Sequence, residues 1–209
     1  MRKTAISFNY LDSTIHGILS MPETQRAGRV TGVIIPSPSI TSLRNSRTSI
    51  LQNVCTLLPS NNTATFSFNQ PESLPDQHGG ILAAALDVFT ALPQISTSIF
   101  LVTYSHDANS LIKNFSLYRQ ATGFIFISPT PSRLETVEFL NDQRAMLFLV
   151  GENDKKSDWM EITDRLDGHK SHVSLKTIAD ADHSWSGFEN YMFSSIPLSA
   201  RTPGKVNHD

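Results

Sequence analysis

Three residue types able to do acyl chemistry together fall in three separate loops. Ser105 follows the apolar run "SIFLVTY", Asp154 lies in "GENDKKSD" after "AMLFLV", and His183 lies in "DADHSW" after "VSLKTIA". A serine hydroxyl attacks a carbonyl only when a base takes its proton. A neutral imidazole can be that base near pH 7. A carboxylate behind the imidazole fixes its tautomer and stabilises the imidazolium that forms. Each residue also has a plainer reading. Ser105 can be an ordinary turn serine. His183 can cap the helix that follows it, with Asp180 or Asp182 holding it whatever its role. Asp158 competes with Asp154 as the acid, but suits the first turn of a helix. His106, beside Ser105, reads as an exposed side chain at a helix start.

Loops so far apart in sequence can meet only if a sheet carries them to one edge. "AISFNY" and "TIHGILSMP" alternate well enough to open the chain as a pair of strands around "LDST". "RVTGVIIP" is a short β-branched run, as expected of a strand covered on both faces. "TATFSFN", "SIFLVTY", "GFIFISP", "AMLFLVG" and "HVSLKTIA" continue the series. Between them lie "ITSLRNSRTSILQNVCTLLP", "GGILAAALDVFTALP", "DANSLIKNFSLYRQ", "SRLETVEFLND" and "SDWMEITDRL", with apolar residues at helical spacing, and "WSGFENYMF" holds a last helix. Strands alternating with helices predict right-handed crossovers, hence about six parallel strands after the hairpin with helices on both faces. Chemistry in such sheets sits at the carboxyl ends of the strands. The loops to search therefore follow Ile35, Phe68, Tyr104, Ser128, Gly151 and Ala179.

The order serine, acid, histidine is that of an α/β-hydrolase sheet. With the opening hairpin, "GVIIPSP", "IFLVTYSHDA", "FLVGENDKKS" and "IADADHSW", the chain resembles a small α/β hydrolase of the dienelactone-hydrolase-like type along roughly its whole length. "GEND" is similar to the family's G-x-x-D and "ADH" to its A-D-H. The resemblance implies Ser105 as nucleophile, Asp154 as orienting acid and His183 as base. It implies an oxyanion hole built from the backbone N–H of His106 and one from the first loop, at Ser39 or Ile40. It also implies one domain over residues 1–209 without a lid; the polar stretch at about 197–209 reads as a loose tail. Two motifs depart from the pattern. The elbow G-x-S-x-G is Thr103-Tyr104-Ser105-His106-Asp107 here, without either glycine. "IPSPSITS" stands where H-P-H-P-x-x-G-G would be, and Pro36 and Pro38 have no N–H to donate.

Composition excludes several other classes. The net charge is -2 and there is no run of Lys or Arg, so no nucleic-acid partner is expected. Charged residues make up 17%, below the usual quarter or so. That suits either a Ser/Thr/Asn-rich surface or one covered by a protein partner or a second copy. No apolar stretch approaches the ~20 residues of a membrane helix, and "MRKTAISFNY" lacks the apolar core of a secretory signal. A soluble intracellular protein is the default. Cys55 is the only cysteine and reads as a small apolar side chain. The histidines show no ligand spacing, so neither a metal nor another cofactor is expected. Trp159 and Trp185 read as core or rim packing. The first functional reading is a serine hydrolase of a small ester, thioester or similar acyl compound. A second makes the chain an inactive hydrolase-fold protein serving as a binding module or a subunit of an assembly. A third gives Asp107 or His106 a new role in altered geometry.

Overall fold

Eight stretches rich in β-branched and aromatic residues form the strands of one mixed sheet. The computed structural model describes residues 1–23, 29–38, 46–58, 63–71, 74, 77–130, 134, 139, 141–167, 172–194 and 196. The strands are β1 (Arg2–Tyr10), β2 (Ser13–Met21), β3 (Val30–Pro38), β4 (Thr63–Gln70), β5 (Ile95–Tyr104), β6 (Gly123–Ile127), β7 (Ala145–Gly151) and β8 (Val173–Ile178). Their order is β1-β2-β4-β3-β5-β6-β7-β8. β1 and β2 form an antiparallel hairpin over the two-residue turn Leu11-Asp12, with Leu11 at φ 50. β2 pairs antiparallel with β4. From β4 to β8 every neighbouring pair is parallel, giving the six parallel strands the alternation predicts.

The helices are α1 (Ser46–Leu57), α2 (His78–Thr90), α3 (Asp107–Lys113), α4 (Trp159–Leu166) and α5 (Glu189–Ser194), with a 3-10 turn over Phe115–Leu117. They cover both faces, and the strands show it residue by residue. On β6, Phe124 and Phe126 pack with buried residues of α2, α3 and α4, while Ile125 and Ile127 pack with α1 and Met192 of α5. On β7, Met146, Phe148 and Val150 face the first group, and Leu147 and Leu149 the second. This period of two explains why the runs are apolar throughout rather than alternating. "GGILAAALDVFTALP" forms α2, which buries Ile81, Leu82, Ala85, Leu86 and Phe89 on one side.

Two expectations change. "DANSLIKNFSLYRQ" is not one helix: the α-helix stops at Lys113 and the chain tightens into the 3-10 turn. β3 does not end near Ile35. It runs to Pro38, pairing Pro36 with Phe68 and Pro38 with Gln70. Its pairing with β5 stops at Ile34, so both prolines lie where β3 is bonded on one side only, which tolerates a missing donor. The helix expected over "SRLETVEFLND" and the tail at 197–209 fall largely or wholly outside the described residues.

The connection from β3 leads to β4 on one side, and β5 lies on the other. The sheet therefore reverses its order at β3, the place where such sheets put a ligand crevice at the strand ends. Ser105 follows directly at the carboxyl end of β5.

Candidate active site

At Ser105 the chain turns from β5 into α3 in a single left-handed residue, φ 55. Only glycine adopts this conformation without penalty, so a serine there is held by its surroundings. Its N–H donates to the Ile127 carbonyl of β6 at 2.9 Å, and its own carbonyl accepts the Ala108 N–H at 3.3 Å. One bond ties the corner to the neighbouring strand and the other starts the helix. Thr103 and Asp107 occupy the places of the missing glycines and are 1% and 7% exposed. The Thr103 Oγ1 is buried with no hydrogen-bond partner among the described residues.

Asp154 follows Gly151 at the end of β7. Its carboxylate is buried and accepts the N–H groups of Lys156 and Ser157, both at 3.0 Å. Burial alone would push its pKa up. Hydrogen bonding from His183, the Ser128 hydroxyl and the Lys156 amide outweighs that, so the carboxyl sits below its ordinary value. His183 lies in the loop after β8, between two left-handed residues, Asp180 (φ 63) and Trp185 (φ 57). Its Nδ1 is 2.9 Å and 3.0 Å from the two Asp154 oxygens, and its Nε2 is 3.1 Å from Ser105 Oγ. An ionised carboxylate can only accept, so Nδ1 carries the proton and Nε2 is left to accept from the serine. The structure thus brings the predicted serine, histidine and acid into one connected chain.

The competing residues go elsewhere. Asp158 caps α4, accepting the N–H groups of Met160 and Glu161. Asp182 is exposed and accepts from the Ser184 N–H and hydroxyl, at 2.8 Å and 2.7 Å. The His106 side chain is 67% exposed, with Nε2 3.8 Å from Asp107 Oδ1, so it does not stand in for His183. Its backbone directly follows Ser105, where the oxyanion donor is expected. The other expected donor, Ser39, lies outside the described residues, as does Ile40. Burial pushes the Cys55 thiol up to about 11, away from thiolate chemistry. Trp185 is fully buried, and Trp159 packs at the edge of the core beside a cavity of about 350 Å³ along the acid loop.

Three residues that the sequence pattern does not assign to the site touch it. Tyr104 donates its hydroxyl to the His183 carbonyl. Trp185 Nε1–H donates to Ser128 Oγ at 2.9 Å, and Ser128 helps hold Asp154 ionised. Position alone hints at Ser128, which closes β6 in the row of strand-end loops. The other two are visible only as bulky residues next to the triad positions.

No family model and no curated sequence matches this chain. Solved structures do match it. A serine hydrolase without a lid from Xanthomonas campestris superposes with a TM-score of 0.74 at 16% identity, over 92% of this chain and 91% of that one. Its fold is that of the lidless α/β hydrolases. Est1E from Butyrivibrio proteoclasticus matches with a TM-score of 0.69 at 14% identity, over 91% and 98% of the two chains. A Klebsiella pneumoniae protein assigned to the dienelactone hydrolases matches at 0.64 and 10%, over 91% and 89%. At these identities the likeness is one of fold. Among the described residues no helix is long and apolar enough to cross a membrane.

Proposed function

We propose that this chain is a serine hydrolase of a small ester, thioester or related acyl compound. One observation carries the reading: Ser105 is held in a left-handed corner with its Oγ 3.1 Å from a histidine that is itself paired with a buried carboxylate. A turn serine has no use for strained backbone, a base and an orienting acid together.

In this mechanism Ser105 Oγ attacks the acyl carbon while its proton passes to His183 Nε2. Asp154 keeps the imidazole oriented and stabilises its charge. The negative oxygen of the tetrahedral intermediate is held by the His106 N–H, with Ser39 in the first loop proposed as the second donor. Collapse of the intermediate breaks the bond to the alcohol or thiol, which leaves with the proton from Nε2. Water, deprotonated by the same nitrogen, then frees the acid and restores the serine. The lidless fold leaves the site open, which favours a small or well-exposed substrate.

A second reading draws on the corner itself. Thr103 carries a buried hydroxyl without a hydrogen-bond partner among the described residues, and Asp107 is buried next to the nucleophile, as an inactive binding module under no pressure to turn over could retain. A fluorophosphonate probe separates the two. Under the first reading it labels the wild type, and Ser105→Ala and His183→Ala abolish labelling. A wild type that stays unlabelled while correctly folded overturns the hydrolase reading.

A further inference from the structure

β8 does not place His183 by itself. It is the last strand of the sheet, and none of its six residues is fully buried. A loop leaving such an edge needs other anchors to hold an imidazole to within a fraction of an ångström. Two buried aromatic side chains provide them. Tyr104, the last residue of β5 and 2% exposed, donates its hydroxyl to the His183 carbonyl at 2.5 Å. Its ring centroid lies 5.3 Å from that of the imidazole. Two residues beyond His183, Trp185 is fully buried and donates Nε1–H to Ser128 Oγ at 2.9 Å. Ser128 is itself fixed: it is left-handed (φ 47), buried, and bonded through its N–H to the Leu149 carbonyl at 2.8 Å.

We infer that Tyr104 and Trp185 are positioning residues, whose hydrogen bonds at the His183 carbonyl and two residues beyond it fix the His183 loop so that the ring bridges Ser105 and Asp154 before substrate arrives. Tyr104 also links base to nucleophile through covalent structure, because it is the residue before Ser105. A movement of the β5 end therefore carries serine and histidine together. Trp185 and Ser128 link the base to the acid loop, since the hydroxyl that accepts from the indole also faces Asp154. The catalytic consequence rests on the hydrolase reading; the positioning of His183 does not.

The test uses Tyr104→Phe and Trp185→Phe, which keep an aromatic ring and remove one donor each. The readouts are the far-downfield proton resonance of His183 Nδ1–H in its bond to Asp154, and the pH profile of inactivation by a fluorophosphonate. Each variant should stay folded, broaden or lose the resonance, and slow inactivation by roughly tenfold or more, as expected for a displaced base. A lowered melting temperature with an unchanged resonance and unchanged profile would show a packing role only and overturn the inference. If either variant fails to fold, hydrogen exchange at the Trp185 indole in the wild type decides. Exchange as fast as a free indole overturns the inference, and strong protection supports it. A wild type that shows the resonance but resists the probe counts against the hydrolase reading alone.

Discussion

Gly151 sits where the acid loop and the histidine loop touch, and adding one methyl group there tests how tightly they are coupled. A Cβ at this position would lie 2.2 Å from the Ala181 carbonyl oxygen, 2.6 Å from its carbon and 3.0 Å from its Cβ. Ordinary contact begins near 3.4 Å, so the Ala181 backbone must retreat by about 1 Å. Ala181 is fully buried, accepts the Asn153 N–H at 2.9 Å, and lies two residues before His183. Overpacking of this kind costs about 1–3 kcal/mol. A displacement of ~1 Å passed on to the imidazole would stretch its 3.1 Å approach to Ser105 beyond hydrogen bonding and slow the chemistry on the order of a hundredfold. Gly151→Ala should therefore lower the urea midpoint and the rate of fluorophosphonate inactivation together. Adding Ala181→Gly should not restore the rate, because the worst contact is with backbone rather than with the methyl group. An unchanged midpoint and an unchanged rate in Gly151→Ala would refute the argument that close approach of these loops sets the position of the base.

Other outcomes follow from the same geometry. Ser105→Gly should be more stable than Ser105→Ala by about 1 kcal/mol in denaturant titration, because glycine relieves the left-handed strain that alanine keeps; equal stability would mean that the corner is not strained. Arg144 bonds Asp142 and the carbonyls of Tyr118 and Ala121, and lies 4.8 Å and 4.7 Å from the ring centroids of Phe115 and Phe124. Arg144→Met should cost about 2–3 kcal/mol in urea unfolding without slowing inactivation of the folded fraction, since the residue precedes β7 at the end opposite the site. Asp154, held below its ordinary 3.8 in the fold, contributes stability at higher pH that is lost as pH falls through that folded value. Asp154→Asn should thus show a smaller loss of stability than the wild type on acidification below about pH 4, measured by thermal melts across a pH series.

The sheet was legible because burial on both faces demands apolar runs such as "GFIFI" and "AMLFLVG", and short strands between amphipathic helices admit few topologies. Where the helix of "DANSLIKNFSLYRQ" stops was not legible. Apolar spacing runs straight through Asn114, while tertiary packing of Phe115 against Phe124 and Phe139 tightens the chain there. Ser105, Asp154 and His183 were legible as candidates because each lies in a loop just past a strand run and is of a residue type that does chemistry. The roles of Tyr104, Ser128 and Trp185 were not, since they depend on hydrogen bonds between residues 57 and 79 positions apart. The elbow lacks both glycines of the pattern, and Ser105 nonetheless reaches φ 55 with its N–H bonded to the Ile127 carbonyl.

That bond from Ser105 to β6 has a consequence for variation. A turn clamped to the adjacent strand does not require small residues on either side, so positions 103 and 107 are open to substituents that a glycine-dependent bend would reject. Both positions are nearly closed to solvent, so exchanges there alter the packing beneath the serine while the bend itself stays put.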